Sequence, residues 1–163
     1  MFLHALDCLL SRERLRDAGR RGLAPADRAA EAKPLRLDIE GSLKLLPKYR
    51  GTTFRGLDAE LPTDVIEQFK VGTIMTDGGF VSTSTEPTVP LTFKPETIVI
   101  DDTFSGRRLE LASSFGIRES EVLFTPNRQW RVLKVVEGPD LTYFGRTVKR
   151  IVYRQEIPVA GLK

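Results

Sequence analysis

The chain has 163 residues and a mass of 18.3 kDa, and its 40% hydrophobic and 29% charged residues are typical of a globular protein. This length predicts a single domain with one hydrophobic core. A single cysteine, Cys8, and a single histidine, His4, exclude a disulfide framework and a Cys/His zinc site and disfavour a Ser-His-Asp triad. No apolar run is long enough to span a membrane, so we expect no membrane partner.

The net charge of +3 is unevenly distributed along the chain. Residues 1–36 hold 8 Lys/Arg against 5 Asp/Glu, which leaves 17 of each sign in residues 37–163. A nucleic-acid-binding protein usually carries a coherent basic face, whereas the arginines of residues 12–21 fit the solvated surface of a helix better. Charge alone therefore predicts no nucleic-acid partner.

Helices are predicted first in the chain, over residues 2–18, 26–32 and 37–46, and Pro47 ends the last of them. A short helix follows over 64–70, with Asp64 placed to cap it. The later segments are rich in β-branched and aromatic residues and are separated by Gly, Pro or Asn. They predict strands over residues 52–55, 80–83, 97–100, 121–124, 130–136 and 147–157. Helices followed by an antiparallel or mixed β body predict an α+β fold, with a helical lobe over 1–46 and a β-rich core over 47–163.

Two common nucleotide-binding motifs are absent. Gly51 and Gly56 have the spacing of a phosphate loop, but Leu57-Asp58 follows where that loop requires Lys-Ser/Thr. No G-x-G-x-x-G sequence follows a predicted strand, so dinucleotide binding of the Rossmann type has no support.

Three polar fragments lie in or beside the predicted strands. Phe54-Arg55-Gly56 places an arginine at a strand end, and Ser82-Thr83-Ser84 places two hydroxyls on one strand face. Glu119-Ser120-Glu121 opens the strand over 121–124, where two carboxylates on one face of a strand would be about 7 Å apart. Each fragment alone is common on protein surfaces, and their order along the chain makes the combination informative.

This ordered set resembles the arginine–serine–glutamate class of mono-ADP-ribosyltransferases, the cholera-toxin-like and C2/C3-like group. The flanking sequences LPKYRGTTFRG (46–56), GFVSTS (79–84) and ESEVLF (119–124) are also similar to that class, and the resemblance covers residues 43–136. Tyr49-Arg50-Gly51 offers a second aromatic-Arg-Gly match, but the pattern asks for an arginine within the strand, which favours Arg55. The histidine–tyrosine–glutamate branch of the superfamily is disfavoured because the only histidine is His4.

The resemblance implies a two-sheet β core with a cleft for NAD⁺, which is consumed as co-substrate, and no metal. It implies catalytic roles for Arg55, Ser82, Glu119 and Glu121. Arg55 would clamp the pyrophosphate, Ser82 would orient the carboxylate of Glu121, and Glu121 would stabilise the oxocarbenium-like transition state. Further NAD⁺ contacts are expected at two neighbouring positions, Gly56 and Thr83.

The predicted acceptor of the ADP-ribose group depends on Glu119. In the family, glutamate at this position accompanies transfer to arginine, and Phe115 in the preceding loop is a candidate substrate-facing aromatic residue. Three alternatives remain open: NAD⁺ hydrolysis, ADP-ribosylation of nucleic acid, and a binding module without catalysis.

The resemblance also favours the catalytic portion of a bacterial toxin or effector, delivered by a secretion system or a larger polypeptide into a target cell. Its partners would then be a target protein with an accessible arginine and a cognate immunity protein that covers the cleft.

Overall fold

The structure, a computed structural model, describes residues 40–57, 61–109 and 120–158. The predicted helices over 2–18 and 26–32 lie outside these residues, so the division into a helical lobe and a β-rich core stays a prediction. Of the helix predicted over 37–46, the described part is helical over residues 40–43. No helix in the described ranges is long and apolar enough to cross a membrane.

Beyond residues 40–43, the described chain forms nine strands, one α-helix and one 3₁₀ helix. The helices are α1 (Thr63–Gln68) and the 3₁₀ helix Val89–Phe93. The strands are β1 (Lys48–Leu57), β2 (Ile74–Asp77), β3 (Val81–Ser84), β4 (Thr97–Arg108), β5 (Glu121–Phe124), β6 (Arg128–Glu137), β7 (Thr142–Tyr143), β8 (Arg146–Thr147) and β9 (Arg150–Ile157).

Seven of the strands form one mixed sheet in the order β1-β3-β5-β4-β9-β6-β2, with an additional pairing between β1 and β4. The β4–β9 pair is parallel, and the other pairs in this sheet are antiparallel. One edge of strand β4 pairs first with β9, over residues 97–102 of β4, and then with β5, at Arg107 and Arg108. Strand β4 therefore links a β1-β3-β5 half of this one sheet to a β9-β6-β2 half.

The point where β4 changes partner is held by a buried carboxylate, that of Glu156 on β9. Its Oε2 accepts hydrogen bonds from the backbone nitrogens of Phe104, at 2.8 Å, and Ser105, at 3.0 Å, and from the hydroxyl of Thr103, at 2.6 Å. Its Oε1 accepts the hydroxyl of Ser105. Since a buried N–H without an acceptor is costly, Glu156 replaces the strand partner that β4 lacks at this crossing.

The sheet buries apolar side chains on both faces. On one face, α1 and the residues after it pack over β4, β6 and β9 through Phe69, Met75, Val99, Val132 and Val152. The other face is covered by the segment around β7 and β8, where Tyr143 and Val148 pack against Ile98 and Ile151. This layering of few helices on a mostly antiparallel sheet confirms the α+β prediction.

Most predicted strands are present, with several departures. Strands β2 and β7 were not predicted, and β1 begins at Lys48 instead of residue 52. Strand β4 extends to Arg108 instead of ending at residue 100, and the strand predicted over 147–157 is divided between β8 and β9. The capping role predicted for Asp64 is wrong, because α1 begins after Pro62 without a side-chain cap and Asp64 lies in its first turn. There its negative charge still interacts favourably with the helix dipole.

Candidate active site

Ser82 and Glu121 lie on the neighbouring strands β3 and β5. The register pairs Ser82 with Leu123 and Ser84 with Glu121, so the Ser82 and Glu121 side chains stand on one face of this antiparallel pair. The hydroxyl of Ser82 donates a hydrogen bond of 2.5 Å to Oε1 of Glu121, whose side chain is buried. A hydrogen bond to a carboxylate is worth about 1.5–3 kcal/mol, enough to hold this side chain in one rotamer.

The backbone just before Glu121 is fixed as well. Ser120 has a positive φ of 43°, a left-handed conformation that a non-glycine residue rarely adopts. Its carbonyl accepts a hydrogen bond of 3.0 Å from the nitrogen of Thr85, which continues the β3–β5 ladder by one bond. Strand β5 begins only at Glu121, so the strand spacing used to place two carboxylates about 7 Å apart does not extend back across Ser120.

Arg55 lies on β1, which adjoins β3 through the pairing of Phe54 with Ser84. Its guanidinium forms an ion pair with Asp77, at 3.9 Å between Nη2 and Oδ1, and its side chain is 20% exposed. Burial lowers the pKa of Arg55, and the charge of Asp77 opposes that effect. The described contacts thus join Ser82 to Glu121 and Arg55 to Asp77, while only the adjacency of β1 and β3 connects the two pairs.

Asp77 also links Arg55 to a second, fully buried ion pair. Its Oδ2 lies 3.7 Å from Nη2 of Arg154 on β9. The guanidinium of Arg154 makes two hydrogen bonds to Asp101 on β4, of 2.7 and 2.9 Å, and lies over the ring of Trp130 at 4.8 Å. Burial acts to lower the pKa of Arg154, but the charge and hydrogen bonds of Asp101 outweigh it, so that the pKa is raised.

Sequence analysis missed this group of charges. Asp77, Asp101 and Arg154 are not among the predicted site residues. A signal was nevertheless present, because Arg154 lies in a strand whose alternate residues are buried, and a charge on a buried face needs a partner.

The sequence matches no protein-family model. It is 32% identical over 120 residues to the NAD(+)–protein-arginine ADP-ribosyltransferase Tre1 of Serratia proteamaculans, an alignment that covers 74% of this chain and 24% of Tre1. The structure is similar to that of the ADP-ribosyltransferase Vis of Vibrio splendidus solved with agmatine, with a TM-score of 0.62, 22% identity, and coverage of 90% of this chain and 65% of Vis. It is also similar to the type III effector XopAI of Xanthomonas axonopodis pv. citri, with a TM-score of 0.52, 24% identity, and coverage of 68% of this chain and 45% of XopAI.

The chain belongs to the bacterial ADP-ribosyltransferases. It spans about a quarter of the length of Tre1, so the matched region is one part of a longer protein there. The resemblance that the three polar fragments indicated, and the fold that it implied, are thereby confirmed.

Two residues predicted to contact NAD⁺ have structural reasons of their own for being where they are. A Cβ at Gly56 would lie 2.8 Å from Cβ of Pro95 and 3.1 Å from the carbonyl oxygen of Pro90, so packing alone requires a glycine there. The buried hydroxyl of Thr83 donates a hydrogen bond of 3.0 Å to the carbonyl of Val122 on β5. Its proton is therefore already engaged within the sheet. Contacts of these two residues with NAD⁺ stay predictions.

The second aromatic-Arg-Gly match also has a structural explanation. Gly51 has a φ of 144° at the point where the pairing of β1 with β4 shifts by one residue, a bulge that favours glycine. Arg50 is exposed beside it. Glu119 and Phe115 lie outside the described residues, and their roles stay predictions. In the described ranges, no three His, Cys, Asp or Glu side chains group as metal ligands would.

Proposed function

We propose that this chain is the catalytic part of an NAD⁺-dependent mono-ADP-ribosyltransferase that modifies arginine side chains of a target protein. The observation that carries the proposal is the hydrogen bond between the Ser82 hydroxyl and the buried Glu121 carboxylate. The name of Tre1 and the agmatine complex of Vis support arginine as the acceptor, since agmatine carries a guanidinium group.

The proposed role of Glu121 follows from the charge that the reaction develops. The bond between nicotinamide and ribose C1′ of NAD⁺ breaks with its electron pair going to nicotinamide, and a guanidinium nitrogen of the target then bonds to C1′. The Glu121 carboxylate would hold a ribose hydroxyl and oppose the positive charge that develops on the ribose. The hydrogen bond from Ser82 fixes the carboxylate before the reaction begins, which lowers the cost of organising the site.

Arg55 is the proposed pyrophosphate clamp. Its Nε is buried and has no hydrogen-bond partner within the described part of the chain, while its Nη2 is held only by the long ion pair with Asp77. A guanidinium with unused donors fits a bidentate contact with phosphate oxygens, which a lysine ammonium would not reproduce.

Glu119 is the proposed acceptor-directed residue. A guanidinium is protonated at neutral pH and is a poor nucleophile, so transfer needs a carboxylate that receives its proton as the new bond forms. Water, the acceptor in NAD⁺ hydrolysis, needs no such partner. Replacing this carboxylate therefore separates transfer from hydrolysis.

The experiment incubates the purified protein with NAD⁺ labelled in its adenylate part and with agmatine as acceptor. Wild-type protein should release nicotinamide and label agmatine. Glu121→Gln should lower both rates by a factor of about 10² or more, and Glu119→Gln should abolish labelling while retaining much of the hydrolysis. Glu137→Gln on the exposed part of β6 is the matched control and should leave both rates unchanged.

Two outcomes would contradict the proposal. Release of free ADP-ribose without labelling of agmatine or of any protein in a lysate would indicate a NAD⁺ glycohydrolase. Label that survives protease and is removed by nuclease would indicate a nucleic-acid acceptor.

The setting that we propose is that of a delivered bacterial effector which acts in the cytoplasm of a target cell. XopAI, which shares the fold, is described as a type III effector. An immunity protein that covers the site remains a prediction, and inhibition of agmatine labelling by a co-expressed neighbouring gene product would test it.

A further inference from the structure

The carboxylate of Asp77 lies between two arginines with different surroundings. Arg154 is 1% exposed and is already neutralised by two hydrogen bonds to Asp101. Arg55 is 20% exposed and has Asp77 as its ion-pair partner at 3.9 Å. Arg55 and Arg154 carry two positive charges, and Asp77 and Asp101 carry two negative ones. Because Asp101 neutralises Arg154, the charge of Asp77 is the one that balances Arg55.

The position of Asp77 is fixed by its backbone. It is the last residue of β2, its Cα pairs with Arg128 of β6, and its carbonyl accepts a hydrogen bond of 2.7 Å from the nitrogen of Asn127. The backbone of Asp77 is therefore fixed beside the long and flexible side chain of Arg55, whose conformational freedom costs free energy when a ligand orders it.

The separation between Asp77 and Arg55 is longer than a hydrogen bond. Oδ2 of Asp77 and Nε of Arg55 are both buried and both lack a hydrogen-bond partner among the described residues. Asp77 consequently attracts the guanidinium through charge and, at 3.9 Å, makes no hydrogen bond to its Nη2.

We propose that Asp77 is a positioning residue for Arg55, which it holds through charge in the orientation that receives the pyrophosphate of NAD⁺. This inference rests on the proposed function, because it assumes that Arg55 binds the pyrophosphate. Asp77 touches no reacting atom and acts through Arg55.

The test measures nicotinamide release against NAD⁺ concentration for wild type, Asp77→Asn and the control Asp102→Asn, an exposed aspartate on β4. Asp77→Asn keeps the size of the side chain and removes its charge, while Arg154 keeps both hydrogen bonds to Asp101. We expect KM for NAD⁺ to rise about fivefold with kcat within about twofold, and the control to match wild type. An unchanged KM in Asp77→Asn would overturn the inference.

A double-mutant cycle separates positioning from a purely structural role. In an Arg55→Ala background, Asp77→Asn should change KM by less than about twofold, because the residue through which it acts is gone. A further fivefold rise in that background would show that Asp77 acts without Arg55 and would also overturn the inference.

Folding is checked by thermal melting of each variant. If Asp77→Asn does not fold, Asp77→Glu replaces it, because this variant keeps the charge but moves it by one methylene. A KM for NAD⁺ raised about threefold in Asp77→Glu would support the inference, and a wild-type KM would overturn it. A wild-type protein that releases no nicotinamide would refute the proposed function instead, so the two failures are distinguishable.

Discussion

The crossing of β4 between the two halves of the sheet leads to a prediction about Glu156. In Glu156→Ala the backbone nitrogens of the half-buried Phe104 and Ser105 lose their acceptor, and each unsatisfied N–H costs about 1–3 kcal/mol. The hydroxyls of Thr103 and Ser105 can rotate towards other acceptors, and the ion pair with Arg128, at 3.8 Å, is long. We therefore expect the free energy of unfolding to fall by about 3–5 kcal/mol, a large part of the 5–15 kcal/mol typical of a domain.

Urea denaturation followed by tryptophan fluorescence measures this loss, because the single Trp130 pairs with Glu156 across β6 and β9 and is fully buried. With an m-value of about 2 kcal/mol/M, the midpoint should fall by about 2 M. Glu156→Gln keeps one carbonyl oxygen for the two backbone nitrogens and should lose only about 1–2 kcal/mol.

The matched control is Glu137→Ala, which removes an exposed glutamate from its surface pair with Arg150 and should cost less than about 1 kcal/mol. Equal midpoints for Glu156→Ala and Glu137→Ala would refute the view that Glu156 replaces the missing strand partner of β4.

Three further changes test other parts of the structure. Gly106→Ala places a Cβ 2.4 Å from a buried valine methyl and should lower the free energy of unfolding by about 1–3 kcal/mol, whereas Gly138→Ala, with no atom within 4 Å, should change the urea midpoint little. Burial raises the pKa of Tyr143 from 10 to about 12, so the unfolded chain ionises first and stability is lost between those pH values. When the free energy of unfolding is measured against pH, Tyr143→Phe should lose less stability than wild type between pH 10 and about 12. Equal losses in the two proteins would contradict the assignment of this loss to Tyr143. Ser82→Ala removes the hydroxyl that donates to the Glu121 carboxylate and should lower nicotinamide release about tenfold or more while the melting temperature changes little. A wild-type rate would argue against the positioning role of Ser82.

Local patterns predict an element well where a segment is buried by its nearest neighbours. Strand β5 was predicted with its observed bounds, because all four of its residues are buried and an apolar run of that length is typical of a central strand. Strand β3 differs by one residue, and its Gly-rich entry is visible in the sequence.

Elements that depend on distant partners were missed. Strand β2 has one buried residue among four and forms by pairing with β6, more than fifty residues later. The second half of β4, from Asp101 to Arg108, has the polar composition of a loop. It is extended because β1 pairs along its length and Glu156 satisfies the two nitrogens at its crossing.

The types and order of residues were sufficient to identify Arg55, Ser82 and Glu121 as a candidate set and to indicate the family. The contact between Ser82 and Glu121, and the Asp77–Arg154–Asp101 group beside Arg55, depend on which strands become neighbours. Strand order is decided by the burial of side chains far apart in the chain, and a single sequence does not reveal those pairings. The sequence therefore predicts which chemical groups the site contains, because those depend only on residue types. Which partner orients each charged group depends on tertiary packing.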